Sequence, residues 1–299
     1  MVRSGIMTLE QLRIFVCVAE QEHVTAAART LHLTQSAVSA SIASLEASHG
    51  IKLFHRVGRG ITLSEAGRMF LSEARGVLAR AMAAETMLEE LGGLKRGTLR
   101  IVASQTIAAY WLPPILAAFR ELYPSLGVTL AIGNTEQAAA RVHDGGADLG
   151  IVEGEIDDPV LAHWPIGEDH LALVRALPFG LEPIDKAWLL GARWVVREQG
   201  SGTRSTFDRH LRDLGIDPTS LSISLVLPSN ESVRTAVEAG AGVAVLSSLV
   251  VARAIKTGAL HAAPLTFGPR SFFALRHKER YRVKAADALL ELIKTRPPV

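Results

Sequence analysis

The chain is expected to combine an N-terminal all-α winged helix-turn-helix with a C-terminal α/β part, joined by one long helix. Three observations predict this. Capped helical patterns and a short two-stranded tip fill the first 63 residues. A proline-free apolar seam runs from Ser64 to Leu91. From Thr98 onward, apolar strand-like runs alternate with helical ones. With 299 residues, 48% of them hydrophobic and 21% charged, the chain can bury a sizeable core and needs neither disulfides nor metals to fold.

Thr8, with Gln11 three residues on, fits a capping box, and Leu9, Leu12, Phe15, Val16 and Ala19 follow at helical spacing. A second short helix is expected from Thr25 to Leu31. A third runs from Gln35 to about His49, capped by Thr34 and stopped by Gly50. The tight connection His32-Leu33, with the small residues Ala26, Ala27, Ala28 and Ala37, permits the steep helix crossing of a helix-turn-helix. Lys52 to Arg56 and Gly60 to Leu63 read as a two-stranded wing around Val57-Gly58-Arg59.

The third helix opens with short polar groups, Thr34, Gln35, Ser36 and Ser39. A recognition helix presents that end to base edges, where Gln can pair bidentately with adenine and Ser can donate or accept. Arg56 and Arg59 on the wing would neutralise phosphates. With Thr25 at the start of the second helix, these residues form the candidate DNA-binding set. Taken alone, the third helix also fits an amphipathic surface helix; the order of elements favours double-stranded DNA. Net charge is only +2, so contact depends on where charge is placed.

The long helix after Ser64 is capped by Thr62 or by Ser64 itself. Gly67, Phe70, Ala74, Val77, Ala81, Ala84, Leu88 and Leu91 recur at heptad spacing. Such a seam can pack inside its own chain or against a second copy. A reading helix needs a twin on a two-fold site, which favours a homodimer through this helix. Gly92 to Gly97 reads as a hinge.

In the remainder, strands are expected at Thr98–Ala103, Val128–Ile132, Asp148–Val152, His170–Arg175, Trp194–Val196, Ser222–Leu227 and Val243–Leu246, mostly in parallel sheets. Helices are expected at Ile107–Tyr123, Thr135–Asp144, Ser205–Leu214 and Glu231–Ala239. Ligands in such folds sit off the carboxyl ends of strands. Polar residues gather there: Ser104, Gln105 and Thr106; Asn134; Glu153; Gln199, Ser201, Gly202 and Thr203; and Ser247. Several also start helices, whose N–H groups favour an anion. Asn134 alone could be an ordinary helix cap, but the convergence of Ser104, Thr106, Ser201 and Thr203 points to a binding pocket.

The stretch Arg197-Glu198-Gln199-Gly200-Ser201-Gly202-Thr203-Arg204 superficially resembles a phosphate cradle. It lacks the lysine of a nucleotide P-loop, and Gly240-Ala241-Gly242 lacks the third glycine of a dinucleotide fingerprint. No nucleophile–base pair or metal-ligand spacing is legible, so no enzyme, metal or cofactor is expected beyond a small-molecule effector. The single cysteine, Cys17, can form no disulfide within the chain, which suits a reducing cytoplasm. The N-terminus carries no signal-like apolar run, with Met1 or Met7 as start. The most apolar segment, Val233 to Ile255, is too broken by polar residues to span a membrane.

The run from Leu9 to Leu71, with "TAAARTLHLTQSAVS", "GIKLFHR" and "TLSEAG", resembles the DNA-binding domain of LysR-type transcriptional regulators. Ala40, where many members carry Arg or Gln, and His23-Val24, where Gly-Ser is common, depart from that pattern. "ASQTIAAYWLP", "GNTEQ", "DLGIVEG", "REQGSGTR" and "AVEAGAGVAVLS" resemble the subgroup of Calvin-cycle and sulfite-responsive regulators. The resemblance implies a two-lobed effector domain like a periplasmic binding protein. Residues 1–63 would read DNA and 64–97 would link and dimerise. Lobe one would comprise 98–165 with 268–299, and lobe two 166–267. It implies a cytoplasmic regulator, a homodimer or homotetramer, whose promoter binding responds to a small anionic or carboxylate effector. No pocket arginine is evident, which suggests a small oxyanion; Arg197 and Arg204 are expected to point away. The alternatives are a solute-binding protein and an enzyme acting on a phosphorylated metabolite.

Overall fold

The structure, a computed structural model, describes residues 7–58, 60–91, 97–154, 156–181, 183–265 and 267–295. Arg59 and the hinge residues 92–96 lie outside the described residues. The chain forms two compact units, which divide near residue 86.

In the N-terminal unit, helix α1 (Leu9–Gln21) begins with the expected capping box. The Gln11 N–H donates to Thr8 Oγ1 at 3.2 Å and the Thr8 N–H to Gln11 Oε1 at 3.0 Å. Helix α2 (Val24–Thr30) starts one residue before Thr25, because His23 Nδ1 accepts the Ala26 N–H at 3.2 Å. An imidazole nitrogen takes the place of the usual hydroxyl cap, and Thr25 lies inside the first turn, half-buried. His32, with φ 55°, turns the chain into helix α3 (Gln35–His49). Thr34 Oγ1 accepts the Ala37 N–H there at 3.2 Å, and Gly50, with φ 66°, ends the helix. The wing is the antiparallel pair β1 (Phe54–Val57) and β2 (Gly60–Leu63).

Helix α4 (Glu65–Leu91) is capped by Ser64, not Thr62. Ser64 Oγ accepts the Gly67 N–H at 2.9 Å and donates to the Lys52 carbonyl at 2.7 Å. A side chain at Gly67 would meet Leu63 Cδ2 at 2.8 Å and overlap the Leu53 carbonyl oxygen, so glycine lets helix and wing touch. Phe15 is fully buried between Phe54 and Phe70, with ring centroids 5.5 and 4.8 Å away. The seam divides. Gly67 and Ala74 are buried in this unit, whereas Val77 and Leu88 are 46% and 70% exposed.

Glu46, near the end of α3, ties that helix to the wing. Its carboxylate accepts the Leu53 and Phe54 N–H groups at 2.8 and 3.3 Å and the Lys52 ammonium at 2.6 Å. Burial disfavours the charged form, but Lys52 and the two N–H groups outweigh burial and hold the carboxyl below its ordinary value. A group lowered on folding contributes stability that is complete above its ordinary value and lost as pH falls through the lowered one. The N-terminal unit is therefore expected to lose thermal stability on acidification below about pH 4. Glu46→Gln should flatten that dependence in melts followed by circular dichroism.

In the C-terminal unit, β3 (Thr98–Ser104), β4 (Gly127–Gly133) and β5 (Leu149–Glu153) run parallel, while β12 (Arg270–His277) is antiparallel to β5 and to β6 (Leu161–Asp169). The sheet order is β4-β3-β5-β12-β6. A turn of π-helix at Ile107–Trp111 leads into α5 (Leu112–Leu122), whose first turn holds the two prolines. Helices α6 (Thr135–His143) and α11 (Lys284–Thr295) complete this lobe. Trp111 packs edge-on against Phe272 in its core, centroids 5.4 Å apart.

The second lobe places β7 (Leu171–Arg175) between β10 (Ala244–Ser247) and β11 (His261–Ala262), both antiparallel to it. Beside them β8 (Arg193–Arg197) pairs in parallel with β9 (Ser222–Leu227). Helices α7 (Lys186–Gly191), α8 (Gly202–Asp213), α9 (Asn230–Glu238) and α10 (Ser248–Lys256) cover these strands. The sheets are thus mixed rather than mostly parallel. The chain leaves the first lobe on β6 and returns on β12, so the returning strand must run against its neighbours. Among the described residues, no helix is long and apolar enough to cross a membrane.

Candidate functional site

Parallel strands deliver their last residues to one edge, and the polar residues singled out above meet there. Ser104 ends β3, Asn134 and Thr135 follow β4, Glu153 ends β5, Ser201 to Thr203 open α8, and Ser247 ends β10. Apart from Gly202, these are buried polar side chains.

The centre of this cluster is Arg270, at the start of β12 and 4% exposed. Its Nε and Nη2 donate to Asp169 at 2.7 and 2.5 Å, a bidentate pair. Nη1 donates to Thr203 Oγ1 at 3.0 Å and lies 3.6 Å from Glu153 Oε1. Ser247 Oγ donates to Asp169 at 2.6 Å, and Ser104 Oγ donates to Glu153 Oε2. Burial works against the charged guanidinium, but Glu153 and Asp169 outweigh it and hold Arg270 above the ordinary arginine value. A buried arginine thus stands at the centre of these residues, where the sequence pattern shows none. Arg270 and Asp169 are neighbours only through the pairing of β12 with β6, which no local pattern announces.

A second group spans the lobes. Asn230 Nδ2 donates to Thr106 Oγ1 at 3.0 Å, and the Asn230 N–H to Gln105 Oε1 at 3.0 Å. Gln105 Nε2 donates to the Pro228 carbonyl at 3.0 Å. Arg197 donates to Asn230 Oδ1 at 2.5 Å and to both Glu198 oxygens at 2.8 and 2.9 Å. Asn134 Nδ2 reaches Glu198 Oε1 at 3.3 Å and the Gln199 carbonyl at 3.4 Å. Burial alone would raise the Glu198 carboxyl, but the Arg197 guanidinium holds it below its ordinary value. Arg197 is therefore buried inside the network rather than pointing away, while Arg204 turns to Asp208 at 2.8 Å. Gln199 is exposed and enters through its backbone.

The glycine-rich stretch now has a physical account. Gly200, with φ 81°, makes the turn. A side chain on Gly202 would meet Thr135 Oγ1 at 2.6 Å and overlap the Glu153 carbonyl oxygen, so this loop lies directly on the first lobe. Ser201 caps α8. The stretch thus packs against the first lobe, where the two lobes meet.

On the N-terminal unit, Thr34, Gln35, Ser36 and Ser39 are exposed along the first turns of α3, and Arg56 is exposed on β1. Thr34 Oγ1 lies 3.0 Å from Ser36 Oγ, so these two hydroxyls are already engaged. Gln35 and Ser39 stand on the same exposed end of the helix.

A reading head of winged helix-turn-helix type and a two-lobed α/β unit with a buried polar cluster between its lobes define a ligand-responsive transcription regulator. The chain belongs to the LysR family of such regulators. Residues 9–68 match the bacterial regulatory helix-turn-helix protein, lysR family, and residues 92–298 match the LysR substrate binding domain. It is a DNA-binding protein with an effector-binding domain. A relative from Nostoc sp. (strain PCC 7120), the "Probable RuBisCO transcriptional regulator", is 34% identical over 96% of this chain and 87% of its own. That relative supports the resemblance to Calvin-cycle regulators. CbnR complexed with its target DNA shares the fold at TM-score 0.68 and 21% identity, covering 97% of this chain and 99% of its own. The regulatory domain of Synechocystis PCC6803 CcmR, in complex with 2-PG, matches at TM-score 0.60 and 23% identity, covering 68% of this chain and 99% of its own.

Proposed function

We propose that the protein is a homo-oligomeric, cytoplasmic regulator that binds a pseudo-palindromic double-stranded DNA site and alters its hold on that site when a small anion or carboxylate enters the cleft. Residues 1–63 read DNA, 64–97 link and dimerise, and 98–299 bind the effector; because β6 stays in the first lobe's sheet as far as Asp169, the lobes divide at about 169 and 270 rather than at 165 and 268. The observation that carries this reading is the buried polar cluster shared by both lobes, in which Thr203 meets Arg270 and Asn230 meets Thr106. The 2-PG bound to the CcmR domain is an anionic ligand on a similar fold, and the CbnR complex supports a DNA target.

Self-association is supported by two apolar surfaces. On α4, Val77, Met82, Met87 and Leu88 are exposed along the latter half of the helix; on β9, Ile223, Leu225 and Val226 are exposed. The first suits a dimer through the linker helix and the second a further self-contact, as a tetramer needs. The hydroxyls of Ser104 and Ser247 do meet carboxylates, but Asp169 is held by Arg270 and Glu153 faces the same guanidinium, which favours sensing over turnover.

An effector can shift the equilibrium between two states only by its different affinity for them. The test is melting temperature against sulfite, sulfate, phosphate, carboxylates and sugar phosphates. An effector at 100 times its dissociation constant adds about 2.7 kcal/mol of stability. The shift is expected to vanish in Thr203→Ala, which spares the helix cap that Ser201 provides. A footprint on promoter DNA that is identical with and without every stabilising anion would overturn the reading.

A further inference from the structure

We propose that Glu153 is a resident stand-in for the effector: its carboxylate engages the donors that an incoming carboxylate takes. This rests on the effector reading above and assigns the ligand a chemical class.

The argument counts charges and donors. Arg270 already has a complete partner, because Asp169 accepts both Nε and Nη2 and is itself completed by Ser247. Glu153 is a second carboxylate facing the same guanidinium at 3.6 Å, and it is 2% exposed. Two buried carboxylates thus share one cation. An uncompensated buried charge is costly, and a purely structural acid would gain more from a partner of its own. What Glu153 holds instead is a ligand's set of contacts. Ser104 Oγ–H donates to one oxygen, and Arg270 Nη1, which also serves Thr203, lies beyond the other.

The Glu153 backbone cannot follow its side chain. Its carbonyl accepts from Thr135 Oγ1 at 2.5 Å and abuts Gly202. Displacement of the side chain alone would release the Ser104 hydroxyl and the side of Arg270 Nη1 that Thr203 does not use. The ligand that fits carries one negative charge on a pair of oxygens. A doubly charged group would meet the remaining field of Asp169.

The test titrates acetate, formate and inorganic phosphate into the full-length protein by calorimetry. Glu153→Gln keeps the shape and removes the charge. It is expected to bind acetate or formate at least about tenfold more tightly than the unmodified protein, with a smaller gain for phosphate. Adding Thr203→Ala should abolish the gain. Glu153→Ala serves the same purpose should the glutamine variant fail to fold, as judged by melting. Equal or weaker carboxylate binding, a larger gain for phosphate, or no binding by either protein overturns the proposal. A stabilising anion that still depends on Thr203 in the unmodified protein would leave the effector reading standing when this one falls.

Discussion

Arg270→Ala is expected to cost about 3–5 kcal/mol of stability, the range found when one member of a buried ion pair is removed. Asp169 and Glu153 would be left facing each other with side chains 2% and 3% exposed and no cation between them. Arg270→Lys should recover only part of the loss, since an ammonium cannot reproduce the planar two-point contact with Asp169. Replacing Arg270 and Asp169 together by apolar residues of similar volume should cost less than Arg270→Ala, because no charge is then stranded. The chain has two units, so one global transition is not expected. All four tryptophans, Trp111, Trp164, Trp188 and Trp194, lie beyond residue 97, and their fluorescence in urea isolates the C-terminal unit. A loss below about 1 kcal/mol, the scale of an exposed pair, would show that the cluster is better hydrated than its burial implies.

The same pair marks the limit of what the chain reveals when read linearly. The reading head is legible because its signals are local. Thr8 and Gln11, Thr34, and Gly50 act on residues within one turn, and each forms the contact its type suggests. The cleft is half legible. Strand ends announce Ser104, Glu153 and Ser247, because a polar residue closing an apolar run has few other uses in this fold. Arg270 and Asp169 are 101 residues apart and meet only because a returning strand lies antiparallel beside β6. The direction of that strand depends on where the chain re-enters the first lobe, and periodicity carries no such information. His23 is missed for another reason: a histidine cap depends on which ring nitrogen is free, a property that no spacing rule contains. Glu46 resembles any helix-surface acid until its partners, the backbone N–H groups of Leu53 and Phe54, are seen.

For the DNA-reading unit, Gln35→Ala and Arg56→Ala are expected to fail in different ways. Gln35 is exposed in the first turn of α3, beside the Thr34–Ser36 hydroxyl pair that already closes on itself. Its carboxamide is able to make two hydrogen bonds to one base. Its loss should remove about 1–3 kcal/mol of discrimination at a single base pair in each half-site. Affinity for unrelated DNA, and the slope of affinity against salt, should hardly change. Arg56 is exposed on the wing, where its charge is expected to meet phosphates rather than base edges. Its removal should weaken binding to all sequences alike and lower the salt slope by about one per protomer, because one fewer counterion is released. The two variants are compared on a promoter fragment, on versions altered at successive base pairs, and on unrelated DNA, each at several salt concentrations. Should Gln35→Ala weaken every sequence equally and reduce the salt slope, α3 would be gripping the backbone. Base discrimination would then have to come from Ser39 or from the shape of the DNA.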